Sequence, residues 1–325
     1  MSCRSNLAMT LLLLAALVSS SSAQQPALDS KQADADFPFQ GEFAGAITID
    51  GDEIKLGVQV IALGGGKFHA VGFMGGLPGD GWDGSDRREV DGELSGGAAL
   101  FKVAGEAGAE VRDGVMTIRD ASGNSIGELK KTTRKSPTEG EKPPAGAVIL
   151  FDGTSADKFD GGKLDGNLLV QGATSKQKFQ SYKLHLEFML SYMPAARGQG
   201  RGNSGCYAQG RYEVQILDSF GLAGENNECG GIYTVKKPDV NMCFPPLSWQ
   251  TYDIDFTAAK FDDSGKKTAD AKMSVKHNGV VIHQDVAVPK STTAAPLAEG
   301  KEPGPLYLQD HGNPVRFRNI WVVEK

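Results

Sequence analysis

The sequence predicts an all-β protein of two domains, and three observations carry that prediction. Its 325 residues are enough for two separate cores. With 42 glycines, 40% hydrophobic and 23% charged residues, the chain is globular and rich in turns, neither a coiled coil nor a disordered polymer. Apolar and polar residues alternate in stretch after stretch, and no window of adequate length carries a helical apolar stripe.

Residues 1–23 read as a signal peptide. Arg4 supplies a positive start, Leu7 to Val18 an apolar run, and Ser21 and Ala23 the small residues of a cleavage site. The run is too short to span a membrane, and Cys3 precedes it where a lipoprotein cysteine would follow. The expected product is exported, periplasmic or extracellular, without a membrane span. Losing Arg4 with the leader takes the net charge from −6 to about −7, which excludes nucleic acid as a partner.

A polar linker, 24–36, leads into a small all-β domain, 37–132. Alternation in GAITIDGDEIKLGVQVIAL breaks at Asp50-Gly51, a hairpin signal that recurs at Asp113-Gly114. Asp80, Asp83 and Asp86 flank Trp82 in what reads as a solvated turn. Residues 133–146, charged and proline-containing, read as a second linker. Strands resume in the second domain, 147–325, most clearly in YKLHLEFML, RYEVQILDS, TYDIDFTA, KMSVKHNGVVIHQDV and VRFRNIWVVE.

The alternation assigns faces. Leu184, Leu186 and Phe188 point one way and His185 and Glu187 the other. Tyr212, Val214 and Ile216 oppose Arg211, Glu213 and Gln215. Such polar side chains suit a sugar-binding sheet or a merely solvated one. His277 and His283, beside the Asn278-Gly279 turn, read as solvent-facing. Among the cysteines, Cys229 and Cys243 lie in loop-like stretches. Closing that loop of about 15 residues by a disulfide would contribute about 3 kcal/mol, leaving Cys206 a buried thiol.

Six stretches in order, ILFDGTSADKF, NSGCYAQGRYEVQILDSFG, ECGGIY, PPLSWQTYDIDF, NGVVIHQDVAVP and GPLYLQDHGNPVRFRNIWV, resemble the landmarks of the 3-keto-disaccharide hydrolase domain family. That resemblance covers 147–325 and implies a concanavalin A-like jelly-roll sandwich. It implies a carbohydrate substrate, a disaccharide or glycoside oxidised at C3. The ketone acidifies the C2 hydrogen, a base removes it, the glycosidic bond breaks by elimination, and water adds. His311 is the candidate base. Glu213 is an alternative base or a ligand for a divalent cation, the one cofactor this reading allows for. Arg211 would stabilise the enolate. Gln215, Asp218, Gln309, Asp310, Asn203, His185 and Glu187 are the candidate substrate contacts.

Two other readings stay open. The spacing of Glu213, Gln215 and Asp218 is similar to the E-x-D-x-x-E motif of laminarinase-type retaining glucanases, with Gln in place of the middle acid. A non-catalytic module of lectin type would use the same face for binding alone.

Overall fold

A computed structural model describes residues 25–85, 87–102 and 108–325. The expected signal peptide and Asp86 lie outside the described residues. Among these, the chain forms twenty-three strands and three short 3-10 turns, confirming the all-β class.

The first eight strands are β1 (Gly41–Ile49), β2 (Asp52–Gly64), β3 (Lys67–Met74), β4 (Arg88–Ser95), β5 (Ala98–Lys102), β6 (Gly108–Arg112), β7 (Val115–Arg119) and β8 (Ser125–Thr132). Each pairs antiparallel with the next, and β1 also pairs with β8, so the sheet closes into a barrel. Closure removes both edges. Phe43, Val60, Phe68, Phe101, Met116 and Leu129 belong to its buried core.

The remaining strands are β9 (Val148–Phe151), β10 (Phe159–Asp160), β11 (Leu164–Asp165), β12 (Leu168–Val170), β13 (Ala173–Phe179), β14 (Tyr182–Leu190), β15 (Asn203–Ala208), β16 (Tyr212–Leu217), β17 (Trp249–Thr257), β18 (Lys260–Phe261), β19 (Lys267–Ala269), β20 (Ala271–His277), β21 (Val280–Val288), β22 (Gly304–Leu308) and β23 (Val315–Glu324). All but β18 and β19, which pair with each other, build two facing sheets, β10-β13-β22-β15-β16 and β11-β12-β23-β14-β17-β20-β21, with β9 added beside β23. Leu184, Leu186 and Phe188 of the larger sheet share one core with Tyr212, Val214 and Ile216 of the smaller. The alternation therefore named the buried faces correctly, but of two different sheets.

Residues 133–146 lie as a strap across the outward face of the larger sheet. Ser136 Oγ meets Thr251 Oγ1 at 2.6 Å, Thr138 Oγ1 donates to Asp253 at 2.8 Å, and the Gly140 amide donates to Glu187 at 2.6 Å.

Two expectations are corrected. The Cys229–Cys243 disulfide is not formed: Cys206, Cys229 and Cys243 are all free and buried. The two thiols lie within hydrogen-bonding reach of each other, and each also has another polar neighbour, Tyr252 Oη at 3.3 Å for Cys229 and the Phe244 carbonyl at 3.5 Å for Cys243. His277 and His283 are fully buried, not solvent-facing. His277 meets Gln250 at 2.9 Å beside Phe188 and Tyr252, and His283 meets the Gly230 carbonyl at 2.7 Å. Burial pushes their pKa values down to about 3 and about 4, so both rings are neutral.

Candidate functional site

The outward face of the smaller sheet carries a cross-strand row. Register pairs Tyr307 of β22 with Tyr207 of β15, and Tyr207 with Glu213 of β16. Beyond β16 the segment Gly230–Tyr233 adds itself as an edge: Val214 bridges Ile232, and the Tyr233 amide donates to the Glu213 carbonyl at 3.1 Å. Tyr307, Tyr207, Glu213 and Tyr233 thus follow one another across the sheet. A single carboxyl sits among three phenols.

Space for that carboxyl is made by Gly205, the residue diagonal to Glu213. A Cβ there would stand 2.2 Å from Glu213 Oε1 and 2.7 Å from Tyr207 Cε2. Glu213 is 2% exposed. Burial raises its pKa to about 8, against a hydrogen bond from Tyr207 that lowers it. Burial, and then the nearby Glu213 charge, push the Tyr207 phenol far up, so it remains a donor. The Tyr207 and Tyr307 rings lie 5.4 Å apart, and Gln309 Nε2 donates to Tyr207 Oη at 3.2 Å.

The next row is amide-lined. Gln215 of β16 and Asn203 of β15 both reach Gln199, which stands on the loop between β14 and β15. Ser204 Oγ and the Gly205 carbonyl hold Gln309 by its backbone, fixing the start of the loop that carries Asp310 and His311. Both of those side chains are exposed, and Asp310 accepts from the Gly312 amide at 2.9 Å. Asn313 ties this loop to the Gly200 carbonyl at 3.1 Å.

The fold thus gathers Glu213, Gln215, Asn203 and Gln309 into one cluster, with Asp310 and His311 on the exposed loop that follows Gln309. It places four other candidates elsewhere. Arg211 precedes β16 and turns to the carbonyls of Ala298 and Glu302, at 2.7 and 3.0 Å. Asp218 lies past the end of β16, buried with Arg201 at 3.2 Å on the side of Cys229 and Cys243. Burial raises its pKa and Arg201 opposes that. His185 and Glu187 occupy the other sheet, under the strap. There His185 meets Asp253 at 2.6 Å, and Glu187 meets Arg318 at 2.6 Å.

Tyr207, Tyr307, Tyr233, Gly205 and Gln199 were missed from sequence. Tyr207 and Gly205 share the parity of Asn203 within NSGCY, which was the available signal. Tyr233 reaches the row only through an irregular edge that no alternation announces.

A divalent ion at Glu213 would find one carboxylate among phenols and amides, a poor set for a hard cation. Among the described residues the one group with three ligand atoms close enough for a metal is Glu141, His185 and Asp253, on the opposite sheet. Two cavities lie away from the cluster. One of about 660 Å³ is lined by Lys67, Glu93 and Arg197, and another of about 440 Å³ by Lys183, Asp253 and Trp321.

Residues 146–323 match the family described as 3-keto-alpha-glucoside-1,2-lyase-like domain. A crystal structure of a candidate glycosyl hydrolase from Parabacteroides distasonis is 30% identical, with a TM-score of 0.51 over 56% of this chain and 85% of that one. A second candidate glycosyl hydrolase from the same organism is 16% identical, with a TM-score of 0.41 over 55% of this chain and 94% of that one. No curated protein matches the chain.

Proposed function

The chain belongs to the 3-keto-alpha-glucoside-1,2-lyase-like domain family through residues 146–323, and from that premise we propose that it cleaves 3-keto glycosides with Glu213 as the base. The observation that carries the reading is one buried carboxyl, with its pKa raised to about 8, beside the Tyr207 phenol and the amides of Gln215, Asn203 and Gln309. A base of that strength takes a proton from carbon next to a ketone far better than an ordinary carboxylate would.

The steps balance without a second acid. Glu213 takes the C2 proton, and the C–H electron pair forms the C2=C3 bond as the carbonyl pair moves onto the C3 oxygen. That enolate collapses to restore C3=O and form C1=C2, and the C1 bond to the glycosidic oxygen breaks. The leaving oxygen takes the proton that Glu213 then holds, which regenerates the base, and water adds hydroxyl to C1 and hydrogen to C2. Tyr207 would orient the base, while Gln215, Asn203 and Gln309 would hold the oxygens on the ring. His311 and Asp310, on an exposed loop, would meet the leaving-group side. The donor set gives no reason to route a step through a metal.

Retaining glucanase chemistry needs two carboxyl groups about 5 Å apart across the scissile bond. Here the second, Asp218, is paired with Arg201 on the core side. A buried carboxyl that accepts protons also has no evident use in a purely lectin-like module.

The test is substrate oxidation state. A 3-keto glucoside should be cleaved and its unoxidised parent left intact, with Glu213→Gln lowering kcat by on the order of 10²-fold or more while the fold is retained. Hydrolysis of the parent sugar, or full activity in Glu213→Gln, would end this reading.

A further inference from the structure

Asn203, Gln215 and Glu213 are almost wholly buried, so a substrate that reaches them must displace something. The contacts identify what. Gln199 Oε1 accepts from Asn203 Nδ2 at 3.0 Å and from Gln215 Nε2 at 3.1 Å. Its Nε2 donates to the Asn227 carbonyl at 2.9 Å. Two amide N–H groups converging on one carbonyl oxygen form the donor arrangement that stabilises an oxyanion. Asn203 Oδ1, buried beside them, has no hydrogen-bond partner among the described residues.

We infer that the Gln199 amide is a stand-in for substrate: it fills a hole that takes the substrate's ketone oxygen, and substrate enters by displacing it. The inference rests on the reaction proposed above. The C3 oxygen would sit where Gln199 Oε1 now sits, and the two N–H groups of Asn203 and Gln215 would hold it as it gains charge. A hydroxyl next to the ketone would replace Gln199 Nε2 as the donor to the Asn227 carbonyl. A sugar alcohol at C3 can also fill the hole, but only a ketone develops the charge that the two donors reward.

The loop is built to move about fixed ends. Gly198, at φ +51, and Gly200 flank Gln199, and a Cβ on either would meet nothing within 4 Å. One end is tied to the barrel, where Arg197 Nη2 donates to the Leu63 carbonyl at 3.0 Å. The other is tied to the His311 loop through Asn313 and Gly200. The barrel thereby holds the hinge of the cover over the site.

Two measurements on the full chain test this. Amidation of Glu213 by a water-soluble carbodiimide with glycine ethyl ester, followed by peptide mass spectrometry, reports access without needing turnover. It should run about tenfold faster in Gln199→Ala, which removes contacts worth at least one net hydrogen bond. An unchanged labelling rate would overturn the cover. The probe for the hole is 1,5-anhydro-3-keto-glucitol, which carries no glycosidic oxygen on C1. It should bind Gln199→Ala about tenfold more tightly than wild type and more tightly than 1,5-anhydroglucitol, with that preference lost on adding Gln215→Leu. Equal binding of ketone and alcohol to Gln199→Ala, with wild-type turnover of 3-keto glycosides intact, overturns this inference alone.

Discussion

Glu213 is the base we propose, and its behaviour with pH follows from its surroundings. Its raised pKa has a thermodynamic sign: the proton is kept in the folded state and lost from the unfolded one between about 4.5 and 8. Its contribution to stability is therefore present in full below 4.5 and lost as pH rises through about 8. As a base it must be deprotonated, so kcat/KM should climb with pH and level off above about 8. Tyr207→Phe removes the hydrogen bond that lowers this pKa, so the same limb should move to higher pH with the fold intact. A pH profile of both proteins checks it. An unmoved limb would mean that the titrating group is not the one Tyr207 touches. The site was legible at this scale only in part. The spacing of Glu213 and Gln215 along one strand put both on one face, but nothing local showed that Gly205 leaves a hole there for the carboxyl.

Among the elements, the strap over the larger sheet is held chiefly by a buried charge network. Burial works against the charge on His185, but hydrogen bonds and charges from Asp253 and Glu187 prevail and raise its pKa to about 9. Glu187 is lowered to about 2, because hydrogen bonds from His185, Asn319, Gly140 and Arg318 outweigh its burial. The signs differ. The His185 share of stability is complete below about 6.5 and is lost as pH rises through about 9. The Glu187 share is complete above about 4.5 and is lost as pH falls through about 2. Hydrogen exchange in residues 136–141, corrected for intrinsic rates, should accelerate as pH passes 9 while the β15–β16 ladder stays protected. In His185→Gln it should already be fast at neutral pH. Protection that ignores both changes would show that the strap is held by its hydroxyl contacts alone. Alternation read the outward parity of His185 correctly, yet put it on the same functional face as Glu213. Sheet membership depends on crossovers such as β14 pairing with β17 and β23, which join residues far apart in sequence. The histidines at 277 and 283 were misread for a related reason. Their hairpin turn is local and visible, but the distant segments that meet them, strand β17 at Gln250 and the loop at Gly230, are not.

At the scale of the whole molecule, the barrel is joined to the jelly roll by a mixed interface. Its apolar part packs Ile61, Val71, Phe73 and Trp82 of the barrel against Phe220. Its polar part centres on Arg134, whose Nε and Nη2 hold Glu42 of β1 at 2.7 and 2.5 Å. Arg134 Nη1 also donates to the Pro78 carbonyl at 2.7 Å, and the guanidinium lies 5.0 Å over the Phe244 ring of the second domain. Glu42 is 1% exposed, with Gln59 as its only other side-chain partner among the described residues. Removing the arginine leaves a buried carboxylate nearly alone, which costs about 3–5 kcal/mol, far more than a surface ion pair would. Arg134→Ala should therefore lower the denaturant midpoint of the barrel, followed by hydrogen exchange in β1 and β2, ahead of that of the jelly roll. Arg134→Lys should recover little, since an ammonium cannot make the two-pronged contact or stack as well on Phe244. Because Arg197 anchors the Gln199 loop on Leu63 of the barrel, a loosened barrel should also speed labelling of Glu213 in the other domain. Faster exchange in the barrel without faster labelling at Glu213 would show that the barrel does not hold the cover of the site.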